Sequence, residues 1–476
     1  MDQRTSVSKF IFNILCFILI VPALVIVPPS SVALTIGKER DIGEKLLYMV
    51  RTEFSLLDDP DIAQYINDLG QQVLSQVGLK YFDYHFFVVP SPEFNAFAAP
   101  SGLIFFFSGL IDTMQDENEL MSVLAHEVAH VQSRHIASRS SKSGKVGAIT
   151  MALALASLAL GDPSLATGLF AGFQAAGQAA NLHFSRIDEE EADRLSYTWM
   201  QGLHRNPRAM EDMLRTMRRI TRYRSDQIPP YLLTHPNPEA RLDYVQSLID
   251  YDTNKTREGY YRKTDNFNFL RMKYRVMVLS SDPQKTRIAL ANTLATAKSE
   301  EEKVMAEYGL ALLEARELNF PKAFDYLAKV RAVYPNRTVV DIDAGLMHLD
   351  SGDVQEAVEL LERALEKDPY NMYGVFNLAR AYTKTGQNER AEELFGRVMK
   401  TMPEYSQVYF ELGRIAANKG QQGTSNFYLA KYYMYEGKMD FAREYYAKAK
   451  KDASVPETIR TEADKLLQRL DELDKL

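Results

Sequence analysis

At 476 residues the chain is long enough for about two to four domains, and 46 % hydrophobic, 25 % charged and 11 % aromatic residues describe a folded protein. A net charge of −7 leaves no basic field to draw it onto nucleic acid. Cys16 is the sole cysteine, so beyond the N-terminal segment there is neither a disulfide nor a thiolate metal site.

Arg4 and Lys9 precede an apolar run from Phe10 to Val27, then Pro28-Pro29 and the small residues Ser30 to Ala33. That order predicts a secretory signal over residues 1–33, cleaved after Ala33, and therefore an exported protein. An uncleaved membrane anchor is the competing reading; Pro22 inside the run and the small residues after it favour cleavage.

From Ile36 to about Gly78 apolar residues recur at helical spacing. Asp59-Pro60 supplies an N-cap and a first-turn proline, after which Ile62, Tyr65, Ile66, Leu69, Val73 and Leu74 form one stripe. The aromatic and β-branched runs YHFFVV (84–89) and LIFFFSG (103–109) predict strands, separated by the turn-rich PSPEFNAFAAPSG. A helix starting near Asp116 carries Leu120, Val123, Leu124 and Val128 at helical spacing. Residues 146–180 hold no charge except Asp162, and Asp162-Pro163 splits them in two. Neither piece reaches the ~20 apolar residues that span a bilayer. They read either as buried core helices or as a hairpin that lids the site or makes peripheral contact with a membrane.

From about 305 the sequence repeats itself. Pro335, Pro369 and Pro403 stand 34 apart, as do Gly352, Gly386 and Gly420, and Ala323, Ala357 and Ala391. Helix, glycine turn, helix and proline stop at that period resemble the tetratricopeptide repeat, whose stacked helix pairs form an interaction surface. Gly437 follows Gly420 by only 17, so one helix is expected to serve two adjacent half-units, with the C-terminal helix as cap. Residues 251–300, rich in tyrosine and charge, are expected to be a helical bridge.

The chemistry is concentrated in VLAHEVAH, Val123 to His130. In this composition a His-Glu-x-x-His match has a chance expectation of roughly 0.02. Residues four apart on a helix share a face at ~5–6 Å, so His126 and His130 can reach one Zn²⁺ at ~2.0–2.1 Å. Glu127 points beside that face, placed to take a proton from water at the metal. A catalytic zinc needs a third protein ligand. The H-x-x-G-x-x-H spacing is excluded, because Ser133 and Ile136 occupy those positions. His135 would lie ~140° around a continuing helix from His130, which predicts a polar surface residue or an outer support of the site. Within SRIDEEEADRLSYTWM, Glu189 alone has an aspartate, Asp193, four residues later on the same face. A carboxylate ligand with an orienting carboxylate one turn on suits a metal centre. Alone, such an acidic run would read as a solvated helix start.

H-E-x-x-H, the later S-R-x-x-E-x-E-A-D pattern and the preceding FNAFAAPSG resemble the metallopeptidase family that includes HtpX and the CAAX prenyl endopeptidases. Such a peptidase followed by tetratricopeptide repeats, behind a signal sequence, is similar to the BepA-like periplasmic branch. The resemblance covers roughly 36–250 for the peptidase and 300–476 for the repeats. Unlike HtpX-like members, the chain shows no transmembrane pattern after its N-terminal segment. The implied architecture is an α+β zincin-like metallopeptidase domain, mostly helical with a small sheet, over 34–255. A helical bridge, 256–304, leads to an all-α tetratricopeptide-repeat solenoid, 305–476.

Carried across residue by residue, the resemblance implies that His126, His130 and Glu189 bind one Zn²⁺ per chain, that Glu127 is the base, and that Asp193 supports the site. Asn95, Ala96 and Phe97 stand where the family has a strand against which extended substrate lies, a use of a sheet edge that binds backbone by strand addition. THPNPEARL places His235 near the zinc, as a removable fourth ligand or an oxyanion donor, with Arg241 following; the alternative is an ordinary His-Pro turn before a helix. His85, His183, His204 and His348 are expected to be structural. The implied activity is a zinc-dependent endopeptidase and chaperone of the periplasm. Its substrates would be unfolded or misassembled outer-membrane proteins, with the repeats docking on the assembly machinery. Two rivals are a repeat-based chaperone or adaptor with a structural or latent zinc site, and a membrane-associated protease anchored by residues 10–27.

Overall fold

A computed structural model describes residues 35–53, 56–138, 184–223, 230–254, 257 and 259–474. The signal or anchor expected over 1–33, the stretch 146–180 and His183 lie outside the described residues.

Helix α1 (Ile36–Glu53) is followed by α2 (Pro60–Leu74). Asp59 caps α2 by accepting from the N–H groups of Asp61 and Ile62. Pro60 occupies a first-turn position whose N–H has no helical partner. Strands β1 (His85–Val89), β2 (Ala96–Ala99) and β3 (Leu103–Phe107) form one sheet in the order β1-β3-β2. β1 runs parallel and β2 antiparallel to β3. β2 lies inside the segment that local propensity reads as turn. It pairs because β3, buried at all five residues, offers a dry partner in the register Ala96–Phe106 to Ala99–Leu103. Between the two strands Gly102 has φ +87°, and a Cβ there would sit 2.3 Å from the Asp83 carbonyl oxygen. Only glycine fits.

The faces of the sheet serve two cores. Phe86, Val88, Ala96, Ala98, Ile104 and Phe106 pack into the main one with Ile62, Ile66 and Leu69 of α2. Phe97, Phe105 and Phe107 pack on Leu46 and Val50 of α1. After α3 (Ser108–Thr113), helix α4 (Glu117–Gln132) starts at Asp116, whose carboxylate accepts the Glu119 N–H. The Glu119 carboxylate in turn accepts the N–H of Gln115. Burial raises the Glu119 carboxyl to about 7, the neighbouring Asp116 and Asp212 adding to the push. Residues from Glu117 to Val131 of α4 are buried, so this helix has no solvent face on which to spend its polar side chains.

Helix α5 (Arg186–Gly202) packs along α4, and α6 (Arg208–Tyr223), α7 (Pro230–Thr234) and α8 (Pro238–Asp250) close the domain. Helix α9 (Phe267–Ser280) then lies between two cores. Phe269, Met272 and Val276 belong to the first, and Phe267, Tyr274 and Val278 to the next. Its buried Arg271 bridges Asp61 and Asp343, and Arg275 reaches Asp59. Removing one partner from such a network would leave an uncompensated buried charge.

Helix Pro283–Thr296 packs on Glu300–Arg316, and a succession of helix pairs follows: Glu300–Arg316 with Phe320–Val333, Thr338–Ser351 with Val354–Lys367, Met372–Lys384 with Asn388–Thr401, and Ser406–Asn418 with Gln422–Tyr435. Gly352, Gly386, Gly420 and Gly437 all have positive φ where a helix turns into the next. Pro335, Pro369 and Pro403 each follow a helix end by two residues, where the helix cannot continue. Gln422–Tyr435 packs on both Ser406–Asn418 and Met439–Lys451, which explains the halved spacing, and Glu457–Asp474 closes the stack. The end of the stack returns to the start of the chain. Arg51 of α1 pairs with Glu404 at 2.8 Å, and Arg469 pairs with Glu44. Among the described residues no helix is long and apolar enough to cross a membrane.

Candidate metal centre

His126 and His130 project from α4 toward α5, as their spacing requires, with Nε2 atoms 3.1 Å apart. Glu189 arrives from the first turn of α5: its Oε2 is 3.4 Å from His126 Nε2 and its Oε1 is 3.7 Å from His130 Nε2. His235, just after α7, completes the group. Its Nδ1 lies 3.0 Å from Glu189 Oε1 and 3.4 Å from His126 Nε2. Ligand atoms of a tetrahedron with bonds of ~2.0–2.1 Å are ~3.3–3.4 Å apart, so these spacings suit one small divalent cation. Among the described residues, His126, His130, Glu189 and His235 are the group whose donor atoms could hold a metal, all within 4.8 Å of one another. Glu127 Oε2 and His235 Nε2 are buried and make no hydrogen bond among the described residues. Buried polar atoms without partners are rare in a finished protein, and an ion with its reactants would give these atoms a purpose.

The four consecutive acids of α5 point four ways, because each step turns about 100°. Ser185 and Asp188 form the helix cap, each side chain bonding the other's backbone N–H. Glu190 pairs with Arg186 on the surface at 2.7 Å. Glu191 faces His135 and Ser133. Glu189 alone enters the centre, and Asp193 sits one turn beyond it. Asp193 Oδ1 is 3.0 Å from His126 Nδ1, and Nε2 of that ring faces His130, Glu189 and His235, with Arg241 Nη2 3.3 Å from it. Arg241, from α8, holds Asp193 through two bonds of 2.7 and 2.9 Å and reaches Glu189 Oε2 at 3.0 Å.

Burial alone would raise the carboxyls of Glu189 and Asp193. At Glu189 the neighbouring His235 and then Arg241, and at Asp193 Arg241 and then His126, hold the carboxyls below the usual range. Both are anionic at neutral pH. Burial, with the charge of His126, keeps His130 well below the ordinary imidazole range. At His126 burial and Arg241 press the same way, but hydrogen bonds to Asp193 and Glu189 prevail and push it up to about 9.

The centre is closed. Glu127 and His130 have no exposure, and Glu189, Asp193 and His235 have 1 % each. Tyr231 of α7 stacks on His235 with ring centroids 4.3 Å apart, and its hydroxyl donates to Glu127 Oε1 at 3.4 Å. Phe184 stacks on His130 at 3.9 Å, and its N–H bonds the carbonyl of Thr234 at 2.8 Å. Residues 231–235 and Phe184 therefore form one cover. A family model described as Peptidase family M48 matches residues 60–249, and one described as Tetratricopeptide repeat matches 348–421.

Residues 60–249 are an M48 peptidase domain.

The chain is similar to proteins named beta-barrel assembly-enhancing protease. That of Escherichia coli (strain K12) is 29 % identical over 373 residues, 76 % of this chain and 74 % of the other. That of Yersinia pestis is 27 % identical over 398 residues, 82 % and 79 % of the two chains. A protein named as a putative member of the same kind, from Vibrio cholerae, is 32 % identical over 211 residues, 44 % and 43 % of the two chains. The M48 domain makes this chain a metalloendopeptidase, with a tetratricopeptide region behind it.

The M48 domain presents β2 as an edge of its sheet, with Ala96 and Phe97 in the strand and Asn95 just before it. Asn95 is buried, and its Oδ1 makes no hydrogen bond among the described residues. Of the remaining histidines, His85 contacts Glu404 at 3.4 Å, His204 turns the chain with φ +56° and packs on Tyr260, and His348 pairs with Asp353. A cavity of about 480 Å³ lies elsewhere, between the β1 edge and the repeats, lined by Arg51, His85, Phe87, Met372, Glu404 and Tyr435 among others. It shares no residue with the metal centre. Tyr231 and Phe184 carry no signal in the sequence beyond the i, i+4 spacing of Tyr231 to His235. His135 is buried against His130, not turned away from it. Helix α4 stops at Gln132, and Arg134 takes φ +51°. The 140° rotation assumed for a continuing helix therefore never occurs.

Proposed function

We propose that the centre holds one Zn²⁺ through His126, His130 and Glu189, and that the chain hydrolyses peptide bonds of exported proteins in the periplasm. The convergence of four donor atoms beside a buried, half-unpartnered glutamate carries this reading. Bound by these residues, a zinc ion would supply Lewis acidity to the scissile carbonyl and a more acidic water, with a pKa toward ~7. Glu127 accepts the proton of that water and delivers it to the leaving amine. Asp193 holds His126 by Nδ1, and Arg241 fixes Asp193 and neutralises part of the acid around the site. Extended substrate lies along β2, and Asn95, whose Oδ1 is buried and makes no hydrogen bond among the described residues, accepts from its backbone once the site is uncovered.

His235 acts as a removable fourth ligand. Catalytic zinc keeps one position open, and His235, whose Nδ1 lies 3.0 Å from Glu189 Oε1 and 3.4 Å from His126 Nε2, would be able to occupy it. The covered state is then the resting state. The names of the relatives support unfolded or misassembled outer-membrane proteins as substrates. The repeats, 305–476, would dock on the assembly machinery and lend chaperone activity. The leader, 1–33, would be removed near Ala33, and 256–304 would bridge the two functional parts. Against a purely structural zinc, a four-ligand structural site has no use for a base beside it, and Glu127 lies beside this one with an Oε2 that makes no hydrogen bond among the described residues.

Glu127→Gln tests the reading. The variant should keep its zinc and lose turnover of an unfolded outer-membrane protein by on the order of 10²–10⁴-fold. Full cleavage by this variant would remove Glu127 from the mechanism. Rescue of assembly by the inactive variant would assign that part of the function to chaperoning.

A further inference from the structure

The two rings contributed by α4, His126 and His130, are oriented by different means. His126 is held directly by a carboxylate. His130 Nδ1 instead lies 2.9 Å from another imidazole, His135 Nδ1, and both rings are buried. His135 Nε2 faces the Oε2 of Glu191 at 3.4 Å, and Glu191 Oε1 accepts from the Ser133 hydroxyl at 3.2 Å. Asp188 lies farther off on the same side, at 3.9 Å.

We propose that His135 is a positioning residue for the metal, which fixes His130 through an imidazole-to-imidazole hydrogen bond and is itself fixed by Glu191. This inference rests on His130 being a ligand. His130 turns Nε2 toward the donor group, so its proton must be on Nδ1. Among the described residues the acceptor beside that N–H is His135 Nδ1, so His135 carries its own proton on Nε2 and donates it to Glu191. Each donor thus meets an acceptor, and the direction of every proton is set from the metal outward. The backbone shows that the arrangement is built. Arg134, a residue with a side chain, adopts a left-handed conformation that brings His135 back under His130, and Arg134 is tied to Glu39 at 2.9 Å. Phe184 covers the other side of the His130 ring. The ring is therefore gripped by an apolar stack and one directional bond, without a carboxylate of its own.

The test compares His135→Asn, His135→Leu and Glu191→Ala in the full chain, with zinc affinity read by competition with a chromogenic chelator. Asn keeps an acceptor oxygen near the position of Nδ1; Leu fills the space with none. We expect His135→Leu to weaken zinc by about 10–100-fold and His135→Asn to restore most of it. Glu191→Ala, at a partly exposed side chain that leaves the core intact, should weaken zinc several-fold. The visible spectrum of the Co²⁺-substituted protein should change in the Leu variant and return in Asn. Equal affinity for wild type, Leu and Glu191→Ala would overturn the inference, as would equal losses in Leu and Asn. Should Leu fail to fold, unchanged affinity in Glu191→Ala overturns it alone. Wild type without zinc would instead sink the metal assignment itself.

Discussion

The repeats and the peptidase domain spend their buried positions differently. In the repeats the interior is mostly alanine, leucine, valine and aromatic residues, each helix packing on its neighbours, as Ala357, Leu361, Ala391 and Phe395 do, and its buried Asp343 is met by Arg271 and by the hydroxyls of Tyr308 and Tyr373. In the peptidase domain the most buried helix carries His126, Glu127 and His130, and opposite them lie Glu189, Asp193, His235 and Arg241. Polar groups at such depth are costly unless each finds a partner, and here the partners come from α4, α5, α8 and the turn after α7. A repeat position can therefore be damaged locally, whereas a position in the centre answers to four segments at once.

The sharpest break of this comparison is at His235. His235→Ala should leave the fold intact and raise peptide turnover several-fold, by opening the covered position; steady-state cleavage of an unfolded substrate checks it. An unchanged rate with unchanged zinc content would remove His235 from the site. Next in size are the glycines. Gly386 has φ +79° and open space around it, so Gly386→Ala should cost about 1–2 kcal/mol, the strain of a left-handed alanine. At Gly437 a Cβ would also meet the Arg51 carbonyl oxygen at 1.7 Å. Gly437→Ala should therefore cost more in urea unfolding, and it should disturb α1, which the other variant leaves alone. Equal costs would mean that the end of the stack does not press on the peptidase domain.

The smallest effect concerns pH. Glu119 is raised from 4.5 to about 7 in the folded chain, so the folded state binds its proton more tightly. That contribution to stability is full below 4.5 and is lost as pH rises toward 7. Glu119→Gln keeps the acceptor for the Gln115 N–H and removes the titration. Its melting temperature should match wild type near pH 4.5 and exceed it near pH 8. A constant difference across that range would place the slope elsewhere.

How much of this is legible in the sequence follows from distance along the chain. The glycine and proline series are local rules repeated at 34 residues, so helix, turn and stop can be read directly. The pair His126 and His130 is local too, because one helix turn brings the rings together. Glu189 was identifiable only because Asp193 stands four residues on and the upstream motif gave the acid a purpose. The angle of His135 is not legible, since the left-handed Arg134 that follows the helix end has no glycine to announce it. Tyr231 and Phe184 reach the centre through tertiary packing alone. β2 looked like a turn because Ala96–Ala99 is short and small, and its pairing is dictated by β3 rather than by its own residues.

The central claim is a single cation bound by side chains from separate segments. X-ray absorption at the zinc edge, with metal analysis of the purified full chain and of His235→Ala, measures it directly. One zinc per chain with three imidazoles and a carboxylate oxygen, falling to two imidazoles in the variant, is the expected result. Substoichiometric zinc, or an imidazole count untouched by the loss of His235, would contradict it.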